Sequence, residues 1–520
     1  MDPIQVGFLS IIPPVIAIGL ALATKEVISS LLIGIFSGTF IYAINTSSGF
    51  MGVLVKTVDT TITLMSTKLS SNIPIVLFLS MLGALVVVIT KAGGSKAYGE
   101  WAGSKIKSRV GASLATSALG ALIFIDDYFN CLTVGTVMKP VTDKHRISHA
   151  KLAYLIDATA APVCIIAPIS SWAASVISQM GDTGLNGMQS FIQSIPYNLY
   201  AILTILMILI LSIAQLDFGP MEKFEYNAKV HGLLDSELST GGTESTDELN
   251  QLRISPKGRV YDLLIPIAAL IIFSILSMLY VGGYFEGGMT LSEGFGNTDA
   301  GPALAMSSFL SLIVAFILFV PRKVLNFREF MDGIGQGVKS MVGAIIILTL
   351  AWTISGVCRD LLSTGEYVGG VVATSNMPTI LIPTIIFAVA SLLSFSMGTS
   401  WGTFGILIPI IATVCSKVAP DLTIISLSAT LAGSVFGDHC SPISDTTILS
   451  STGASCNHID HVSTQIPYAL LAAACSVVGY IIAGITKNLF LTLSVSIACL
   501  VISLVVLHRI AIAKENKATQ

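Results

Sequence analysis

The sequence predicts an all-α polytopic membrane protein made of two inverted-topology repeats. Three observations predict it. Of its 520 residues, 53% are hydrophobic and only 11% charged, against roughly 25% charged in soluble domains. The apolar residues form runs long enough to cross a bilayer, which takes about 20 residues at 1.5 Å rise each. The few polar clusters inside those runs recur in the same order in both halves. The formal net charge of −3 gives no reason to expect a nucleic-acid partner. The eight cysteines form no CxxC pair and read as small core residues, not as a disulfide or zinc framework.

Taken in order, residues 4–23 and 27–44 are the first two crossings. Residues 50–68 mix apolar positions with Lys56, Asp59 and Lys68 and suit an interfacial amphipathic helix. Residues 72–91 cross again. The next loop carries Lys91, Lys96, Lys105, Lys107 and Arg109 against Glu100, which places it in the cytoplasm. The apolar stretch 111–138 is followed by Lys139, Lys144, Arg146 and Lys151, so basic loops flank it on both sides. It therefore enters and leaves on one face, as a re-entrant hairpin with Phe124-Ile-Asp-Asp-Tyr-Phe-Asn130 at its tip; a single ordinary span is the alternative. Residues 151–180 cross outward and contain Asp157, Pro162, Pro168, Ser170 and Ser171, the pattern of a broken helix. Residues 196–216 return. Residues 218–259 form a polar, mobile cytoplasmic linker.

The second half repeats this sequence of elements. Residues 261–281 and 302–320 cross, 324–340 is a mixed amphipathic piece, and 341–358 crosses outward. Residues 380–414 are interrupted by Ser396-Met-Gly-Thr-Ser-Trp-Gly-Thr403, a second hairpin opened from the other face. Residues 423–450 cross inward through Gly433–Ser451, a stretch holding Asp438, His439, Pro442 and Asp445 among hydroxyls. Residues 463–486 and 489–508 complete the spans. The division is a first repeat at 1–217, the linker at 218–259, a second inverted repeat at 260–487, and a final helix with a cytoplasmic tail at 488–520. About eleven crossings put the N-terminus outside and the C-terminus in the cytoplasm.

A short echo supports the repeat. Ala167-Pro-Ile-Ser-Ser171 parallels Ser441-Pro-Ile-Ser-Asp445, and each lies in the broken helix of its half. Pro140 and Pro409 each follow a hairpin tip by ten residues, counted from Asn130 and Thr399. Inverted repeats with discontinuous helices at the midplane characterise secondary transporters.

The residues expected to bind the transported species are Asp126, Asp127, Asn130, Asp157, Ser170, Ser171, Thr399, Ser400, Asp438, His439, Ser441, Ser444, Asp445 and Thr446. Hydroxyl, amide and carboxylate oxygens suit a hard cation such as Na⁺, and the carboxylates expected to meet it are Asp126, Asp127, Asp438 and Asp445. A carboxylate in a low-dielectric cavity takes up a proton more readily than in water. One site can then hold H⁺ or Na⁺ but not both, the simplest basis for exchange. Blander readings stand beside these. Asp157 can pair with Lys151 or Arg146 at the membrane edge. His439 is either a pH-sensitive group or a satisfied structural histidine. His458 and His461 read as solvated loop residues. The hydroxyls of Ser450–Thr452 read as helix back-bonders, and Trp172 and Trp401 as packing or as stacking surfaces.

The chain resembles the NhaC-type Na⁺/H⁺ antiporter family, within the broader ion transporter superfamily. The resemblance rests on Gly437-Asp-His-Cys-Ser-Pro-Ile-Ser-Asp-Thr-Thr-Ile-Leu449, preceded in order by Phe124-Ile-Asp-Asp-Tyr128, Asp157-Ala-Thr-Ala-Ala-Pro162 and Gly398-Thr-Ser-Trp-Gly-Thr403. It implies an electrochemically driven antiporter of a prokaryotic inner membrane, with the hairpin and broken-helix interruptions forming the binding site. Related members exchange malate and lactate together with Na⁺ and H⁺, and others are assigned to amino acids. A Na⁺- or H⁺-coupled organic-acid or amino-acid carrier is therefore the alternative. The excess of intramembrane acids over bases favours the cation. No cofactor is expected beyond Na⁺ and H⁺ as cargo; the expected partners are lipid and, as an open alternative, a second copy of the chain. An intramembrane hydrolase built on the Asp438–His439 and serine cluster would need a nucleophile held by a base and an oxyanion hole; it is disfavoured, and no enzymatic activity is expected.

Overall fold

The computed structural model describes residues 2–24, 26–124, 127–168, 170–180, 185–235, 254–364, 366–367, 370 and 378–518. Among these, helices and short turns are the only regular structure. The first half opens with α1 (Ile12–Thr24), α2 (Val27–Thr46), α3 (Phe50–Ser71) and α4 (Ile73–Lys91). The short α5 (Gly94–Lys105) follows, then the first hairpin, α6 (Arg109–Leu122) and α7 (Asp127–Lys144). The first broken helix is α8 (His149–Cys164) and α9 (Ser171–Gln179). After α10 (Gly187–Ser194), α11 (Leu199–Ala214) and α12 (Pro220–Tyr226), the second half opens with α13 (Tyr261–Val281). Then come α14 (Leu291–Gly296), α15 (Ala300–Phe319) and α16 (Phe327–Gly356). The second hairpin is α17 (Ile382–Met397) and α18 (Ser400–Val418); the second broken helix is α19 (Thr423–Cys440) and α20 (Asp445–Ala454). The chain closes with α21 (His458–Thr486) and α22 (Leu489–Ala518).

Eight described helices are long and apolar enough to cross a membrane, or nine when the bent pair Gly187–Tyr197 and Leu199–Ala214 is one span. Within the broken helices, α9 and α20 are too short to cross alone, at 9 and 10 residues. Every residue of α8 is buried, as are nearly all of α19 and α20. A helix buried all round marks the centre of the molecule. Small residues let it pack there: a Cβ at Gly437 would lie 2.2 Å from the Ser391 carbonyl on α17, and one at Gly135 on α7 would lie 2.3 Å from that of Gly453 on α20.

Both hairpins form, and they open on opposite faces. His145, just past α7, lies 3.0 Å through Nε2 from the Ile106 carbonyl just before α6, so the two outer ends of the first hairpin meet. The backbone of Gly484 on α21 abuts Ile380, at the start of the second hairpin. Lys487 pairs with Asp421 at that hairpin's other end at 2.8 Å. Helix α11 measures the distance between these two places. Its first end touches the Lys487 side through Tyr197, while past its last residue Asp217 bonds Lys151 near the first hairpin's base. The inverted arrangement is thus built into the packing.

Three expectations change. The span at 4–23 is not one regular α-helix but a 3₁₀ turn (Gly7–Ile11) running directly into the 13-residue α1. The separate pieces 324–340 and 341–358 are one continuous helix, α16, opened by an Asn326–Glu329 capping box. Gly337 packs inside it, since a Cβ there would meet the Gly83 carbonyl at 2.3 Å. The linker is docked at both described ends. Glu225 of α12 pairs with Arg109 and accepts from the Ser148 amide at 2.8 Å, and the Ser255 amide donates to the Lys91 carbonyl at 2.8 Å. Residues 236–253 lie outside the described residues.

Candidate functional site

The two halves of α19–α20 are separated by Ser441–Ser444, and an acid stands on each side of the gap. The local sequence explains the break. Pro442 has no amide hydrogen to continue the helix, and Ser444 accepts from the Thr447 amide at 3.2 Å, starting a new one. A carbonyl-rich helix end and an amide-rich helix start therefore face the same gap, with partial charges of opposite sign. Gly398, at φ +64°, brings the turn of the second hairpin against the gap; a Cβ there would lie 2.5 Å from the Ile443 carbonyl.

Asp438 turns toward the second hairpin. Its Oδ2 accepts from the Ser400 hydroxyl at 2.8 Å and from the Ser400 amide at 3.2 Å. Its Oδ1 accepts no hydrogen bond among the described residues, and the residue is 2% exposed. Asp445 turns toward the first hairpin: Tyr128 donates its hydroxyl to Oδ2, and the Thr446 amide donates to Oδ1 at 2.9 Å. Ser444 and Thr446 share a hydroxyl contact at 3.0 Å. The broken helix thus sits between the two hairpin turns, with one carboxylate for each.

A third acid, Asp157 on α8, is fully buried and differently placed. Its Oδ2 accepts from Gln465 Nε2 at 2.7 Å and from the Thr447 hydroxyl at 3.2 Å, with His461 Nε2 at 3.3 Å and His439 Nε2 at 3.7 Å. One carboxylate oxygen thereby ties α8 to α19, α20 and α21. Its expected alternative partners are engaged elsewhere: Lys151 pairs with Asp217, and Arg146 donates to the Lys229 carbonyl at 3.4 Å. Among the described residues no lysine or arginine pairs with Asp157, Asp438 or Asp445.

The remaining expected residues divide clearly. Asn130 donates to the carbonyls of Gly120 at 2.7 Å, Ile123 at 2.8 Å and Thr159 at 3.2 Å, which locks the first hairpin turn onto α8; its Oδ1 accepts nothing among the described residues. Asp127 opens α7 and is 2% exposed. Ser441 donates to the Phe395 carbonyl at 2.8 Å, and Thr399 caps α18. Ser170 caps α9 and donates back to Cys164, so it serves the first break and is not bonded to the acids of the second. Asp126 lies outside the described residues, as does the side chain of Ser171. His439 is held by the Tyr200 hydroxyl at 2.7 Å through Nδ1. Trp172 and Trp401 pack edge to face at 5.8 Å, joining the first break to the second hairpin.

His458 and His461 are not solvated loop residues. They open α21, His461 is fully buried, and His458 Nε2 lies 2.7 Å from the Pro442 carbonyl in the gap. With Gln465 they form one stripe at helical spacing, three and four residues apart. That spacing at the head of an apolar span was the available signal. Ser450, Ser451 and Thr452 do back-bond within α20.

Residues 163–485 match the Na⁺/H⁺ antiporter family. An uncharacterised protein of Haemophilus influenzae is 40% identical over 490 residues, covering 92% of this chain and 91% of that one. The malate-2H⁺/Na⁺-lactate antiporter of Bacillus subtilis is 26% identical over 198 residues, covering 36% of this chain and 40% of that one. The arginine/ornithine antiporter ArcD of Halobacterium salinarum is 29% identical over 171 residues, 30% of this chain and 32% of that one.

Proposed function

We infer that this chain, which belongs to the Na⁺/H⁺ antiporter family, exchanges Na⁺ for H⁺ at the gap between α19 and α20. That it is a multi-pass membrane transporter follows from the family and from its apolar helices; the ions and the site are the inference. The observation that carries it is the pair Asp438 and Asp445, buried on either side of one helix break, ringed by hydroxyls and with no lysine or arginine paired to them among the described residues. Oxygen donors of this kind suit Na⁺. When protonated, the same carboxylates need no cation to balance them, which is the chemical basis for a shared site. Alternating access then requires the hairpin turns to move relative to the break, opening the gap to one face or the other. In this reading the hairpin-1 face and the C-terminus lie on the cytoplasmic side of a prokaryotic inner membrane, which the basic loops support.

The second reading is a carrier that couples Na⁺ or H⁺ to an organic acid or amino acid. Two observations favour it: the matched segments of the malate/lactate and arginine/ornithine antiporters, and the N-terminal end of α20 in the gap, whose partial positive charge suits a carboxylate. Proteoliposomes with an imposed pH gradient separate the two. Na⁺ alone should dissipate the gradient in the first reading. Dissipation that appears only after malate, lactate or an amino acid is added would establish the second.

A further inference from the structure

We propose that the face carrying the basic loops holds a built site for the headgroup of an anionic phospholipid, between the start of α13 and the end of α15. A cavity of 480 Å³ opens there, lined by Lys257, Arg259, Tyr261 and Arg322. The charge in it is unbalanced. Asp262, fully buried, pairs with Arg322 and also accepts from the Arg259 amide at 2.9 Å. The other two cations have neutral partners. Lys257 Nζ donates to the Lys323 carbonyl at 3.0 Å, and Arg259 donates to the Tyr261 hydroxyl at 3.2 Å. Among the described residues neither forms an ion pair.

The site is held in shape before any ligand arrives. Both guanidinium groups lie over the Tyr261 ring, at 5.8 Å and 4.8 Å from its centre, and Arg322 also donates to its hydroxyl at 2.8 Å. The loop beneath is pinned to the end of α4. The Ser255 amide bonds the Lys91 carbonyl, and Gly258 packs so closely that a Cβ would lie 2.5 Å from Gly93. Two fixed arginines and a lysine around one cavity match the oxygens of a phosphodiester.

A lipid, not a free phosphate, is indicated by what lies below the cations. Leu264 and Ile265 follow Tyr261 by three and four residues, on the same face of α13, and each is 42% exposed. The cationic cavity therefore continues directly into an apolar, outward-facing wall, the order in which a phospholipid presents phosphate and acyl chain. Basic pockets at the membrane-facing ends of helices are suited to such headgroups.

The test uses the full chain in neutral detergent. Binding is measured by native mass spectrometry and by the shift in thermal unfolding, with phosphatidylglycerol, phosphatidylcholine and inorganic phosphate as separate probes. Phosphatidylglycerol should bind and raise the unfolding temperature, and the other two should not. Lys257→Gln with Arg259→Gln should weaken phosphatidylglycerol binding by about thirtyfold, about fivefold for each cation. Arg322 is left in place because it neutralises Asp262. The charge-preserving Lys257→Arg should keep the response, and the single variant Lys257→Gln gives the same readout if the double variant unfolds. An equal shift with inorganic phosphate would replace the lipid by a soluble anion. Undiminished phosphatidylglycerol binding in the Gln variants would overturn the site.

Discussion

At the residue scale, Asp438 and Asp445 differ from Asp157 in what surrounds them, and their substitutions should differ accordingly. Asp445→Asn keeps the shape but removes the charge, and should abolish Na⁺-driven proton movement in proteoliposomes while leaving the protein monodisperse. Tyr128→Phe removes the hydroxyl that bonds Asp445 and should alter the apparent Na⁺ affinity without abolishing transport. Asp157→Ala should instead destabilise the fold. It strips the shared acceptor from Gln465 and Thr447, and each buried donor left unmatched costs about 1–3 kcal/mol. A thermal unfolding scan distinguishes the two kinds of loss. The acids were legible in the sequence because a carboxylate inside an apolar run demands a reason. Their division of labour was not, because it depends on Tyr128, Ser400 and Gln465, which come from three other elements.

At the element scale, the hairpin turns are held against the broken helix by backbone contact through glycine. Gly437→Ala places a methyl group against the Ser391 carbonyl, where even one methylene of overpacking costs about 1–3 kcal/mol. It should lower the unfolding temperature and weaken exchange by displacing Ser400 from Asp438. Gly343→Ala on α16, which has open space around its Cβ, should leave both unchanged. The hairpins and the two breaks were readable from basic loops, prolines and polar tips. The continuity of α16 was not, since the mixed polar and apolar pattern of 324–340 reads as a separate amphipathic piece beside the apolar 341–358. The head of α21 was misjudged for a related reason: Asn457 caps that helix, so the histidines after it belong to the helix and not to the loop.

At the scale of the whole molecule, the opposed hairpins fix which positions share a face. Cysteines replacing Lys105 and His145 should react with an impermeant thiol reagent from one side of oriented vesicles. Cysteines replacing Asp421 and Lys487 should react only from the other. Lys105 and His145 labelled from opposite sides would refute the first hairpin. The order of hairpins and breaks was visible in sequence because polar breaks are costly in lipid and therefore sparse. The 3₁₀ start before α1 was not, because apolar composition alone does not say where a regular helix begins. The docked ends of the linker tie the face carrying the basic loops together.

The claim that Na⁺ and H⁺ share one site is tested most directly by the apparent Km for Na⁺ of the reconstituted protein, measured across a pH series with no organic substrate present. Competition at the Asp438–Asp445 gap predicts that this Km rises as pH falls while the maximal rate at saturating Na⁺ is restored. A Km that does not change with pH, or no Na⁺-dependent flux at any pH until an organic acid is added, would contradict it.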